Sequence, residues 1–135
     1  VDIYPINDDG NLIDAATIAA VAALRKSKIP ILDANGKIDY DATPKENLPL
    51  IVGILSSSVS FYKLGSSIIL DPTREEEEAA ESRITFGLSL WNKQLMINSC
   101  QKSGAAVFSN SEIITIASLL QKNYLELNEK LKKFF

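Results

Sequence analysis

A single amphipathic pattern near the C-terminus constrains the fold of this chain more than any other feature. Ser109 and Glu112 have the spacing of a capping box, in which each side chain accepts a hydrogen bond from a backbone N–H at the start of a helix. The residues that follow are apolar at steps of three and four, which is the period of one helical face. The pattern predicts a long C-terminal helix with one apolar stripe, formed by Ile113, Ile116, Leu120, Tyr124, Leu127 and Leu131.

Three apolar segments upstream of this helix predict strands. Residues 48–55 form a continuous apolar run, and residues 66–70 form a shorter one. Residues 58–65 alternate, which would place Val59 and Phe61 on the same face of a sheet.

Two further segments predict a hairpin. Residues 84–91 and 95–102 both read as strands, and Asn92 and Lys93 lie between them as turn residues. The order along the chain is then strand, helix, mostly antiparallel sheet and final helix. This order indicates the α+β class.

The N-terminal part has its own set of elements. Residues 1–5 alternate and predict a strand that ends at Pro5. Residues 11–28 are rich in alanine and predict a helix that packs closely on a sheet or on another helix. Asn35 and Gly36 predict a hairpin with a type I′ turn, because both residue types tolerate positive φ. Residues 41–47 are rich in turn formers, and we expect a domain boundary there.

Composition excludes several classes of function. The net charge of −3 predicts no general nucleic-acid-binding face, although a local patch or a partner chain could supply one. The chain has no histidine, which excludes Ser–His and Cys–His catalysis and the commonest zinc ligand. No apolar run approaches the length of a membrane span. Because the sequence begins with Val1 rather than methionine, we expect it to be a piece of a longer protein.

The acidic segment at residues 70–86 has a simple local explanation. Thr73 and Glu76 have the spacing of a second capping box, and Arg74 can pair with Glu78 one helical turn later. These features predict a short, solvated and well-capped helix. This is the preferred interpretation, because runs of charge usually lie at the surface.

A second hypothesis for this segment is a divalent-metal site. Glu77 and Glu81 are four residues apart, so on a helix they would share a face. Together with Asp71 they could bind magnesium, which prefers one or two carboxylates plus water. No phosphate-binding glycine loop elsewhere in the sequence supports this alternative.

Two segments in register resemble the RNase PH family. Residues 8–24 (DDGNLIDAATIAAVAAL) resemble the helix that closes its N-terminal half, and residues 68–86 (IILDPTREEEEAAESRITF) resemble the start of its C-terminal sheet. Residues 101–109 and the terminal helix also match in order and spacing. The resemblance implies an RNase PH-like α+β fold in which residues 1–44 end the first domain and residues 45–135 form the C-terminal domain.

The same resemblance implies that the catalytic positions are degenerate. Active members carry an arginine that binds phosphate at the start of the first helix, and Ile13 stands at that position here. Active members also carry three aspartates at intervals of six residues, and counting from Asp71 this sequence has Glu77 and then Arg83. An isoleucine cannot hold an anion, and a cation replaces an acid. The resemblance therefore implies a subunit without catalytic residues.

The functional expectation is a non-catalytic subunit of the hexameric ring of an exosome. The resemblance implies RNase PH-like partners in a hetero-hexameric ring, cap proteins, RNA in the assembled channel, no membrane and no cofactor. It implies a cytoplasmic protein in an archaeal source, and a cytoplasmic and nuclear one in a eukaryotic source. Two alternatives remain open: an active phosphorolytic 3′-to-5′ exoribonuclease that uses Glu77 and Glu81 with a divalent metal, and an unrelated α+β interaction module.

Overall fold

The computed structural model describes residues 1–51 and 56–134, apart from the side chain of Lys132, and its regular part is α+β. The four strands are β1 (Ser57–Leu64), β2 (Ser67–Leu70), β3 (Ser82–Trp91) and β4 (Gln94–Gly104), and the helices are α1 (Leu12–Lys26), α2 (Arg74–Ala79) and α3 (Asn110–Leu131). A 3₁₀ turn at Lys132–Phe134 follows α3. The strands form one antiparallel sheet in the order β2-β1-β3-β4. This arrangement confirms the predicted class and the long C-terminal helix. No helix in the described ranges combines the length and apolarity that a membrane crossing requires.

The core lies between one face of the sheet and α3. Alternate residues of β1 and β3 point toward the helix, and Phe61 and Phe86 meet edge to face with ring centroids 6.4 Å apart. The middle of the predicted apolar stripe supplies the helical side of this core, whereas Ile113 at one end is exposed and Leu127 and Leu131 at the other are only half-buried. The buried cluster consists of Val59, Phe61, Ile84, Phe86, Leu88, Ile116, Leu120 and Tyr124.

The turn between β3 and β4 follows directly from its residues. Asn92 and Lys93 both have positive φ, 49° and 64°, as a type I′ turn requires. The predicted hairpin is therefore confirmed at the predicted turn.

Helix α1 lies on the other side of the sheet. Ser58 and Ser60 alternate with the core residues of β1, so their side chains point away from α3. Both serines contact Asp14 in the first turn of α1. Helix α1 packs on this polar face of β1, as the alanine-rich sequence predicted, although none of its own residues is fully buried.

One N-terminal prediction is wrong and a second is wrong in part. Residues 1–5 form no strand and are exposed, because an alternating segment becomes a strand only when its backbone finds a partner. The segment around Asn35 and Gly36 does reverse, but it forms one isolated pair, Leu32 with Ile38, and only Gly36 has positive φ. The side chain of Asp33 accepts hydrogen bonds from Asn35 N and Lys37 N, and this local bonding replaces a type I′ turn.

The strand predicted at residues 48–55 is not found in its first half. Residues 48–51 are irregular, and Pro49 has no N–H to contribute to a ladder. The second half of this prediction, residues 52–55, lies outside the described residues.

Candidate functional site

The candidate site begins where the N-terminus of α1 meets the N-terminus of α2. Gly10 has φ +89°, and a Cβ added to it would lie 2.4 Å from the carbonyl oxygen of Pro72. Only glycine allows this approach of two backbones. The contact brings Asn11, the residue before α1, beside the acidic segment.

Helix α2 has the predicted local structure. Thr73 Oγ1 accepts from Glu76 N at 3.3 Å, and Glu76 Oε2 accepts from Thr73 N at 2.9 Å. Arg74 pairs with Glu78 at 3.0 Å in an exposed position. The prediction of a short, solvated and well-capped helix is therefore confirmed at Arg74–Ala79.

Glu77 is the exception, because its carboxylate is turned inward. Its Oε2 accepts from Asn11 N at 2.7 Å, and its Oε1 accepts from the hydroxyl of Tyr62 at 3.1 Å. The guanidinium of Arg83 lies 3.8 Å from the same Oε1. Burial, followed by the charge and hydrogen bond of Glu77, raises the pKa of Tyr62 to about 12, so the phenol stays protonated and donates.

Asn11 connects this carboxylate to a second one. Its Nδ2 donates to Asp71 Oδ1 at 3.2 Å, while its Oδ1 accepts from the Tyr62 hydroxyl at 3.4 Å. Asn11 itself is buried, so these bonds satisfy polar groups that would otherwise be costly.

A second polar cluster lies one helical turn further along α1. The carboxylate of Asp14 accepts from Ser60 N at 2.9 Å, from Ser60 Oγ at 2.9 Å and from Ser58 Oγ at 2.5 Å. Ser60 Oγ also bonds Thr85 Oγ1 at 2.9 Å. Asp14 therefore fixes α1 to the sheet, because three donors from β1 converge on one carboxylate.

The residues predicted for the site are only partly brought together. Ile13 lies in the first turn of α1, half-buried, and offers no group that could bind an anion. Glu77 and Arg83 face each other. Glu81 accepts instead from Gly65 N at 3.3 Å.

The expectation that Glu77 and Glu81 share a helical face is wrong. Helix α2 ends at Ala79, and Ala80 is already extended, with ψ 133°. Asp71 is exposed and accepts from Asn11. Within residues 1–51 and 56–134, no group of three histidine, cysteine or carboxylate side chains is arranged to hold a metal ion.

Sequence reasoning missed Asn11, Asp14 and Tyr62 as members of these clusters. A polar residue just before a helix and an acid in its first turn are signals of helix capping. They do not identify a partner that lies 44 or more residues away along the chain.

Residues 55–119 match a protein family described as "3′ exoribonuclease family, domain 2". Two curated relatives are exosome complex components named Rrp42. The one from Pyrobaculum aerophilum is 39% identical over 98% of this chain and 47% of its own length. The one from Thermococcus kodakarensis is 31% identical over 98% of this chain and 48% of its own length.

Solved structures give the same similarity. The chain is 28% identical to a chain of an Archaeoglobus fulgidus exosome with RNA bound to the active site, with a TM-score of 0.72 over 93% of this chain and 45% of that one. An archaeal exosome core gives 28% identity and a TM-score of 0.72 over 94% of this chain and 47% of the other. The chain therefore spans about half the length of the relatives it matches.

Proposed function

Because the chain belongs, through residues 55–119, to the RNase PH family of 3′ exoribonucleases, we propose that it is a non-catalytic subunit of an exosome core ring. Its role is to hold the ring together and to form part of the RNA path in 3′-to-5′ RNA processing and degradation. The similarity to exosome components over 98% of the chain supports this proposal.

The observation that carries the non-catalytic part is the state of Glu77. Its carboxylate accepts from Asn11 N at 2.7 Å and from Tyr62 at 3.1 Å, and the cation of Arg83 lies 3.8 Å away. A general acid must hold a proton and must reach the reacting oxygen. Both oxygens of Glu77 instead accept hydrogen bonds from residues of the fold itself, so the carboxylate serves the structure rather than a reacting oxygen.

Ile13 supports the same proposal from the other side of the site. The active members of the family use an arginine at the corresponding position to bind phosphate, as the resemblance implies. A branched apolar side chain supplies no donor for that anion.

The proposal includes partners, a domain boundary and a location. The partners are other RNase PH-like subunits in a hetero-hexameric ring, cap proteins, and RNA in the assembled channel. Residues 1–44 end the first domain and residues 45–135 form the second. The relatives compared above are archaeal, which supports a cytoplasmic protein.

Purification of the full-length protein under native conditions tests ring membership. We expect RNase PH-like subunits to co-purify with it in fixed stoichiometry, in a particle of the size of a six-membered ring. A monodisperse protein without such subunits would mean that this chain acts outside the ring.

A further inference from the structure

The dipeptide Asn35-Gly36 brings together a side-chain amide and a backbone amide that can react with each other. The carboxamide carbon of Asn35 and the backbone nitrogen of Gly36 can close a five-membered ring. Glycine hinders this closure least, because it has no Cβ. Every other asparagine of the chain is followed by a residue that carries a side chain. The chemistry of ring closure therefore distinguishes Asn35 from the other asparagines.

The fold leaves this dipeptide open to water. Asn35 and Gly36 are both exposed, and nothing lies within 4 Å of a Cβ added to Gly36. The backbone N–H of Asn35 donates to Asp33 Oδ1, but its carboxamide makes no hydrogen bond to any described residue. Asn98 differs, because it lies in β4 and its Nδ2 donates to Ser89 Oγ at 2.9 Å. The carboxamide of Asn35 is therefore free to rotate toward Gly36 N.

Hydrogen bonds to Asp33 restrain the reaction. Gly36 N donates to the carbonyl oxygen of Asp33 at 3.0 Å. The side chain of Asp33 accepts from Asn35 N at 2.8 Å and from Lys37 N at 2.9 Å. Gly36 N must leave its acceptor before it can attack. This opening costs little, because an exposed reversal with one isolated β-pair has few contacts to lose.

We propose that Asn35 is a site of spontaneous deamidation, at a rate restrained by the turn that Asp33 holds. Solvent base removes the proton of Gly36 N, and this nitrogen forms a bond to Cγ of Asn35. The bond from Cγ to the side-chain nitrogen breaks, and ammonia leaves after it takes a proton from water. Water then adds to either carbonyl of the cyclic imide and opens it, which leaves aspartate or isoaspartate at position 35.

Both products change the reversal at residues 31–39. Each adds a negative charge beside the carboxylate of Asp33, and isoaspartate also adds a methylene to the backbone. The longer backbone shifts Lys37 relative to Asp33, so the hydrogen bond from Asp33 N to Lys37 O at 2.7 Å is lost. The buried core contains no residue of this segment and stays in place. The modification therefore loosens one surface segment and leaves the sheet intact.

Incubation of the full-length protein, folded and in urea, followed by peptide mass spectrometry that separates aspartate from isoaspartate, tests this site. We expect Asn35 to convert in the folded protein at a rate within about tenfold of the rate in urea, because local opening costs little. Asn98 should remain unmodified in the folded protein. Protection of Asn35 beyond tenfold would overturn the proposal, and so would conversion of Asn98 at the same rate as Asn35.

Two variants test the nucleophile and the restraint separately. Gly36→Ala should slow the conversion of Asn35 by at least about tenfold, because the new Cβ hinders attack by the nitrogen. An unchanged rate would overturn the proposal. Asp33→Ala removes the acceptor of two turn N–H groups, so it should raise the folded rate to the rate in urea.

Asp39→Ala is the matched control for Asp33→Ala. It removes the same charge and a similar turn, because Asp39 Oδ1 accepts from Asp41 N and Ala42 N, but it leaves the bonds around Gly36 in place. The conversion of Asn35 should therefore keep its wild-type rate in this variant. Equal acceleration by the two variants would overturn the restraint by Asp33 in favour of a general effect of charge.

Discussion

Glu77 differs from its neighbours in the acidic segment because its carboxylate is used inside the fold. The adjacent Glu76 and Glu78 are exposed and serve the cap and a surface ion pair. Glu77 instead connects α2 to the start of α1, to β1 and to β3 through Asn11, Tyr62 and Arg83. Glu77 is thus a structural link between these elements.

Tyr62→Phe tests this link at the scale of one hydroxyl. The substitution removes a donor to Glu77 and leaves the ring in place, so we expect a loss of about 1–2 kcal/mol in the free energy of unfolding at pH 7. Denaturant unfolding monitored by circular dichroism measures it. An unchanged free energy of unfolding would mean that the hydrogen bond at 3.1 Å contributes nothing.

The same residue predicts a dependence on pH. Burial raises the pKa of Tyr62 to about 12, from 10.0 for a free tyrosine. Between these values the unfolded chain loses a proton that the folded chain retains, so stability falls as pH rises from 10.0 to about 12. The wild type should therefore lose stability more steeply than Tyr62→Phe in this window, and parallel curves would contradict the assignment.

At the scale of elements, two contacts position the helices. The N-terminus of α1 abuts that of α2 at Gly10, where no Cβ fits. The N-terminus of α3 is held by Glu112. Its carboxylate accepts a hydrogen bond from Ser109 N at 2.6 Å and forms an ion pair with Lys63 at 2.8 Å. Both contacts connect a helix end to a neighbouring element. We therefore expect substitution at either contact to lower the free energy of unfolding more than the same substitution at an exposed position.

Gly10→Ala tests the contact between α1 and α2. Its new Cβ would meet Pro72 O at 2.4 Å, and we expect a loss of about 1–3 kcal/mol from this overlap alone. Gly36→Ala is the matched control, because Gly36 also has positive φ, +76°, but nothing lies within 4 Å of its added Cβ. Hydrogen exchange of α1 amides should accelerate in the first variant only, and equal effects would leave backbone strain as the sole cause.

Glu112→Gln tests the start of α3. The hydrogen bond from Lys63, followed by that from Ser109 N, lowers the pKa of Glu112 to about 2, so its contribution is present above 4.5 and is lost as pH falls toward 2. The variant should therefore have a lower melting temperature than the wild type at neutral pH. This difference in melting temperature should shrink as the pH is lowered. Glu126→Gln makes the same charge change at an exposed position of α3 and should melt like the wild type. A margin for Glu112→Gln that does not depend on pH would contradict this account.

At the scale of the whole molecule, the sequence predicts what local patterns encode. The stripe of α3, both capping boxes and the turn at Asn92 and Lys93 follow from residue spacing and backbone preference alone. The bond from Asn11 to Glu77 spans 66 positions, and it depends on how α1 lies against the sheet. No local periodicity of the sequence contains that information, so the residues that form the site follow only from the three-dimensional structure.

The failed predictions have the same origin. Residues 1–5 alternate as a strand would, but strand formation depends on a partner for the backbone. Around Gly36, the side chain of Asp33 accepts hydrogen bonds from the backbone N–H groups of Asn35 and Lys37, in place of the regular pattern of a hairpin. Local pattern predicts a preference, and the available hydrogen-bond partners decide whether it is realised.

The proposal that the subunit does not catalyse RNA cleavage is tested most directly by an activity measurement on the full-length protein alone. The assay is the phosphate-dependent release of nucleoside diphosphates from the 3′ end of single-stranded RNA, in the presence of magnesium. With Glu77 bound by Asn11 and Tyr62, and with Arg83 3.8 Å away, we predict no release above the blank. Release by the wild type that disappears in Glu77→Gln would contradict this account and would make Glu77 a catalytic residue.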